Sequence, residues 1–181
     1  MINKFFHSLT LNFRKKLGIP IELIVHIEHD PVCVEVIKYN HSNDGIKHVF
    51  IHQFEDIYGS NDEPDDELLI NFVGEHGPFD LAMSGAPCQN YSGLNARRDL
   101  NAENAQYLRK VGKMIKRMNI SQTHGNDVKF PVLFLSENVV FKEHEDIGTS
   151  YSANQDGLCS IRYDAKDFGP TKRNRLYWTN M

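Results

Sequence analysis

The apolar residues fall into short runs separated by stretches of helical period. Residues 21–27 (IELIVHI) are β-branched and read as a strand, as do 47–51 (KHVFI) and 79–83 (FDLAM). Residues 131–135 (PVLFL) predict a fourth strand, so nearly all apolar that burial on both faces is expected. Residues 31–40 predict a helix with Pro31 in its first turn, where an absent N–H leaves no bond unmade. Residues 65–74 predict a second helix, whose first-turn acids suit the positive end of the helix dipole. Residues 104–118 predict a third. Its apolar stripe is Tyr107, Leu108, Val111, Met114, Ile115 and Met118, with Arg109, Lys110, Lys113, Lys116 and Arg117 on the opposite face. Residues 119–129 and 148–157 read as polar loops, and 159–163 and 175–179 as closing strands. Strands alternating with helices predict an α/β fold with a mainly parallel sheet.

A length of 181 residues fits one domain, and 40% hydrophobic with 24% charged residues excludes a disordered chain. No apolar run approaches the roughly 18 residues of a membrane span, and the first residues are too polar and basic for a secretory signal. The three cysteines, Cys33, Cys88 and Cys159, make neither a metal spacing nor an even disulfide set, which points to a reducing compartment. The net charge of −4 hides a block pattern. Residues 53–80 hold nine acids and no Lys or Arg, and 97–117 hold seven bases against two acids. The acidic block reads as a solvated loop entering a helix, and the basic helix face is expected to contact phosphate. His26/His29 and His48/His52 are closely spaced, but strand alternation puts 26 and 29 on opposite faces, so no metal site is expected.

In sheets of this kind, ligands gather at the carboxyl ends of the strands. FDLAM runs into SGAPCQNYSG, which carries Cys88 in a Pro-flanked loop. PVLFLS runs into Glu137-Asn138-Val139, and IELIVHI into Glu28-His29-Asp30. If these strands are parallel neighbours, Cys88, Glu137 and Glu28 converge on one edge. A thiol near a carboxylate there implies covalent catalysis with acid–base assistance. Cys33 and Cys159 lie in apolar segments and read as inert buried thiols.

The segments GPFDLAMSGAPCQNYSGLN (77–95), FLSENV (134–139) and FGPTKRNRLYWTN (168–180) occur in an order that resembles the DNA cytosine-5 methyltransferases. The likeness is nearest to the animal-type de novo branch, although Gln89 stands where that branch usually has Asn, and it covers roughly residues 17–181. It implies a Rossmann-like class I methyltransferase fold, dependent on S-adenosylmethionine, as one partial catalytic domain over residues 1–181. It assigns the nucleophile to Cys88, the carboxylate that meets cytosine ring nitrogen 3 to Glu137, and the arginine motif that holds the base to Arg173 and Arg175. It places Glu28 at the cofactor ribose with His29 beside it, and Asp56 near the adenine with Ile57 beside it.

DNA is the implied partner, its target base flipped from the stack. The tRNA-type relatives usually carry Phe-Thr where Gln89-Asn90 stands. Protein partners or self-association stay open, and the implied location is the nucleus in a eukaryote and otherwise the cytoplasm. The stretch KFFHSLTLNFRKKLG has no glycine before Gly18, and the chain ends soon after the arginine motif. The family's first glycine turn and target-recognition region are therefore expected to be missing, and cofactor binding to be weak. A catalytically silent methyltransferase-like binding protein, or a fragment of a longer active enzyme, is the alternative.

Overall fold

The computed structural model describes residues 18, 20–85, 103–124, 131–140, 159–167, 169–170 and 173–181, with only the backbone of 103–105 and 122–124. The elements run β1 (Leu23–Ile27), α1 (Pro31–His41), β2 (Lys47–Ile51), α2 (Glu55–Tyr58), α3 (Asp66–His76), β3 (Leu81–Ser84), α4 (Glu103–His124), β4 (Leu133–Val139), β5 (Ile161–Asp164) and β6 (Asn174–Thr179). A 3₁₀ turn, Ala165–Asp167, follows β5. No helix among the described residues is long and apolar enough to cross a membrane.

Local chemistry sets the helix ends. Asp30 caps α1, its Oδ1 accepting from the Val32 N–H at 2.9 Å, and Pro31 opens the helix. Asp65 caps α3 by accepting from the N–H groups of Glu67 and Leu68. At the other end of α3, the Gly77 N–H donates to the Val73 carbonyl at 2.8 Å. A Cβ at Gly77 would lie 2.6 Å from that oxygen, so the approach needs glycine. α4 runs past the expected residue 118 to His124, since residues 119–124 hold no glycine or proline and Gly125 is the next helix-ending signal.

Among the described residues the strands form two sheets rather than one mainly parallel sheet. β1 and β2 are a parallel pair, and the second sheet has the order β3-β4-β6-β5. There β3 and β4 are parallel, while β6 runs antiparallel to both β4 and β5. Pairing with β6 carries β4 through Glu137 to Val139, four residues beyond the apolar run. Only one face of β4 is fully covered: Phe134, Ser136 and Asn138 are buried, whereas Leu133 on the other face is 41% exposed.

α4 joins the two sheets. Leu108 and Ile115 pack with Phe134 and Trp178. Met114 and Met118 pack with Ile57, Tyr58, Leu69, Phe72 and Val132, against which Val25 and Ile27 of β1 and Ile51 of β2 also lie. Each such side chain contributes about 1.5–3 kcal/mol by leaving water.

The polar face of α4, expected from its sequence to contact phosphate, is ion-paired within the chain. Lys113 Nζ lies 2.8 Å from Asp62 Oδ2 and 2.6 Å from Glu63 Oε1, Arg117 Nε lies 2.6 Å from Asp66 Oδ1, and Arg109 reaches Asp62 at 3.3 Å. Lys110 is buried, with its ammonium 5.4 Å from the centre of the Tyr58 ring. Three bases of α4 thus pair with three acids of the 53–80 block. Hydrogen bonds from Lys113 and Arg117 hold Asp62 and Asp66 below the usual carboxylate range.

Candidate functional site

The antiparallel docking of β6 on β4 builds the centre of the site. Glu137 is directly opposite Tyr177, and Arg175 is opposite Val139. Alternation along β6 puts Tyr177 and Arg175 on the face that Glu137 occupies. Arg175 Nε lies 2.5 Å from Glu137 Oε1, and Arg173, just before β6, places Nη2 at 3.6 Å from the same oxygen. The Glu137 side chain is 11% exposed. Its Oε1 is buried and, among the described residues, lacks an aligned hydrogen-bond donor. The two guanidiniums supply charge to this oxygen without satisfying its directional capacity, so the carboxylate can take a donor from a ligand.

The arginines are themselves fixed. Arg175 Nη1 donates to the Asn174 carbonyl at 2.8 Å, and the Arg173 N–H donates to Asp164 Oδ1 at 2.9 Å. Burial, and then the charge of Glu137, push the Tyr177 hydroxyl above its ordinary pKa. Tyr177 is a member of this group that the sequence motifs do not single out. The signal for it was the cross-strand register, which depends on the antiparallel pairing.

A second group sits at the carboxyl end of the β1–β2 pair. The Glu28 N–H donates to the Ile51 carbonyl at 3.0 Å and extends the ladder by one bond. Glu28 Oε1 accepts from the Asp30 N–H at 3.0 Å and lies 3.6 Å from His29 Nδ1. His29 is exposed. Asp56 is exposed in the first turn of α2, whereas the Ile57 side chain belongs to the core, 4% exposed. Burial, then Glu28 and Asp30, raise the Cys33 thiol, in keeping with an inert role. Cys159 is exposed, contrary to the buried thiol expected from its segment, because it precedes β5 at the open edge of its sheet.

The structure thus brings Glu137, Arg173 and Arg175 together. Glu28 lies with His29 on the other sheet, and β1 is not hydrogen-bonded to β3 among the described residues. Cys88 lies outside the described residues; the last residue of β3, Ser84, four positions before it in the sequence, pairs with Ser136 next to Glu137. A cavity of about 360 Å³ opens between Glu63, Pro64, Lys113, Lys116, Arg117 and Ile120, and none of the described candidate residues lines it. It is a gap in the ion-paired face rather than a place where the candidate chemistry meets.

A third cluster was not legible as the pairs 26/29 and 48/52. His26 and His48 lie on one face of the β1–β2 pair with Phe50, and His41 reaches them from the end of α1. Asp44, in the turn before β2, completes the group. The signal was His41-x-x-Asp44-x-x-x-His48, which spans a helix end, a turn and a strand.

No protein-family model matches the chain, and no curated protein matches it in sequence. Solved structures do match. They include the S. pombe Dnmt2 methyltransferase at 17% identity and TM-score 0.58, and the Entamoeba histolytica methyltransferase EhMeth at 14% and 0.59. Another is a prophage protein of E. coli described as a DNA modification methyltransferase, at 20% and 0.54. They match over 98%, 98% and 90% of this chain, which spans 46%, 50% and 40% of theirs. Those likenesses and the mixed α/β topology give the architecture: a Rossmann-like fold of the class I methyltransferase type.

Proposed function

We propose that the chain is the nucleophile-bearing part of a DNA cytosine-5 methyltransferase that uses S-adenosylmethionine as methyl donor. The observation that carries this reading is Glu137, a nearly buried carboxylate faced by Arg175 and Arg173, with an oxygen that lacks an aligned donor among the described residues. Its motif, the Pro-Cys loop and the arginine motif stand in the order of that family, and the three solved structures share the architecture.

Carbon 5 of cytosine is a poor nucleophile. Addition of the Cys88 thiolate to carbon 6 forms a carbon–sulfur bond and shifts electron density onto carbon 5 and the ring nitrogens. Ring nitrogen 3 takes a proton from solvent as that density builds and donates it in a hydrogen bond to the Glu137 carboxylate, which stabilises the protonated ring. Arg175 and Arg173 keep the carboxylate from swinging and bear on the bound base. After carbon 5 takes the methyl group, a water molecule removes its proton, the electrons of that C–H bond re-form the 5,6 double bond and expel the Cys88 thiolate from carbon 6, and ring nitrogen 3 returns its proton to solvent.

The donor set at the β1–β2 end fits an adenosine: Glu28 would accept from the ribose hydroxyls, with His29 beside it, and Asp56 from the adenine amine, with the Ile57 backbone beside it. When bound, the cofactor supplies an electrophilic methyl group on a sulfonium.

The test is covalent trapping. Duplex DNA bearing 5-fluorocytosine, incubated with the chain and cofactor, should give an adduct stable to denaturation and absent from Cys88→Ser. An adduct that persists in Cys88→Ser would overturn the nucleophile. An adduct on RNA in place of DNA would overturn the substrate.

A further inference from the structure

His41, Asp44 and His48 lie away from the β4–β6 site, and their ligand-type atoms all fall within 4.8 Å of one another. We propose that these three side chains bind a divalent transition-metal ion of the zinc class, with His26 as the residue that positions His48.

Two of the three ligand–ligand edges are near those of a coordination shell, and the third is no longer than 4.8 Å. Zinc bonds to imidazole nitrogen and carboxylate oxygen are about 2.0–2.1 Å long, which puts neighbouring ligands of a tetrahedron about 3.3 Å apart. His48 Nε2 already lies 3.2 Å from Asp44 Oδ2. His41 Nδ1 lies 2.5 Å from the same oxygen, so this edge must open by under about 1 Å. The rings of His41 and His48 have centroids 4.5 Å apart. Two imidazoles and one carboxylate suit zinc and its neighbours. Magnesium and calcium prefer shells made of oxygen.

The frame is rigid. His41 ends α1, Asp44 sits in the turn and His48 is the second residue of β2. Asp44 Oδ1 accepts from the Ile46 N–H at 2.9 Å, and the Asp44 N–H donates to the His41 carbonyl at 3.3 Å. Gly45 takes φ +73°, the left-handed turn that brings His48 back over the helix end. The side chains are 3%, 12% and 12% exposed, so this is an enclosed group and not a surface scatter of acids. One carboxylate charge in a nearly dry site with two imidazoles is well matched to a cation.

His26 supplies the outer partner that metal-bound histidines ordinarily have. Its Nε2 lies 2.8 Å from His48 Nδ1. A metal on His48 Nε2 leaves the ring proton on Nδ1, which then donates to His26 Nε2 and fixes both tautomer and ring orientation. Three protein ligands leave the fourth position to water. An ion here would fasten the end of α1 to the histidine-bearing face of the β1–β2 pair.

The test uses the whole 181-residue chain, freed of metal by a chelator. Zinc is titrated in competition with a chromophoric chelator, and cobalt(II) is added separately to read coordination from its visible absorption. One equivalent of zinc should bind at micromolar or lower Kd, raise Tm, and be replaced by cobalt with the intense absorption of a four-coordinate site. His48→Gln and Asp44→Asn should each weaken binding at least tenfold, with far-ultraviolet circular dichroism unchanged. His26→Gln should weaken it by about tenfold while keeping one equivalent and the same cobalt spectrum, the mark of a positioning role. Cys33→Ser and Cys159→Ser should bind as the parent does. Absence of zinc binding at micromolar concentration would reduce the cluster to hydrogen-bonded histidines. Binding that survives both His48→Gln and Asp44→Asn would place the metal elsewhere. Either result overturns the proposal.

Discussion

Two sets of ion pairs divide the labour of charge in this molecule. On the α3–α4 face, Arg109, Lys113 and Arg117 meet Asp62, Glu63 and Asp66, and all three acids are more than half exposed. On the β4–β6 seam, two arginines meet one carboxylate that is almost buried. The first set is numerous, balanced and wet, which makes each pair weak. The second is sparse, unbalanced and drier, and it leaves Glu137 Oε1 without an aligned donor among the described residues. An abundance of charge marks a solvated surface here. An excess of charge around one group with capacity to spare marks the place where chemistry is expected.

The hardest strain on this contrast comes from Glu137→Gln. If the seam is chemical, the change should slow adduct formation and methyl transfer by about 10²–10⁴-fold, the range of a lost acid–base group. Thermal unfolding should move by only a few degrees. Parallel loss of stability and turnover would make Glu137 a structural acid like those on α3.

Arg175→Ala comes next. It leaves the nearly buried Glu137 carboxylate with the more distant Arg173 as its ion-pair partner among the described residues, so stability should fall by about 1–3 kcal/mol, the cost of leaving a buried polar group without its partner, as read by denaturant unfolding. Loss of no more than a few tenths would show the seam to be as weakly held as the α3–α4 face.

Lys113→Ala should do less, about 0.5–1 kcal/mol, because the carboxylates it contacts are open to water. It should also leave the salt dependence of DNA binding unchanged, since its charge is already neutralised by Asp62 and Glu63. A slope shallower by about one counterion would show that DNA displaces the acids and takes the lysine.

The smallest effect is with pH. Asp62 and Asp66 titrate below the usual carboxylate range when folded. Their stabilising contribution is therefore complete above the unfolded carboxylate pKa, about 3.9, and is lost as pH falls through the lower folded values. Asp62→Asn should flatten the acid limb of the stability curve. A limb unchanged in shape would assign that loss to other carboxylates.

The sequence showed the elements better than their assembly. β2 falls on the expected residues 47–51, and α1 differs from expectation by one residue, because alternation, capping and turn residues are local signals. Strand β4 was misjudged at its far end, since Glu137 and Asn138 are polar and only the pairing with β6 keeps them in a strand. The Lys113–Asp62 bond joins residues 51 apart, and no periodicity along one helix carries that information. The motif residues Glu137, Arg173 and Arg175 were legible, and the structure brings them to one oxygen. The histidines were legible only as residues: proximity in sequence paired His26 with His29, whereas the fold pairs it with His48 across the sheet.

Trp178 is the only tryptophan in the sequence, and it is fully buried between β6 and α4, opposite Ser136 and one residue from the Tyr177–Glu137 pair. The protein therefore carries its own optical gauge at one defined place. Its emission is set by a dry environment, so any event that lifts β6 from α4 would move the spectrum to the red. A ligand that settles at Glu137 without disturbing that contact would leave it still, and the colour of one side chain would then separate occupation of the site from loosening of the strand that builds it.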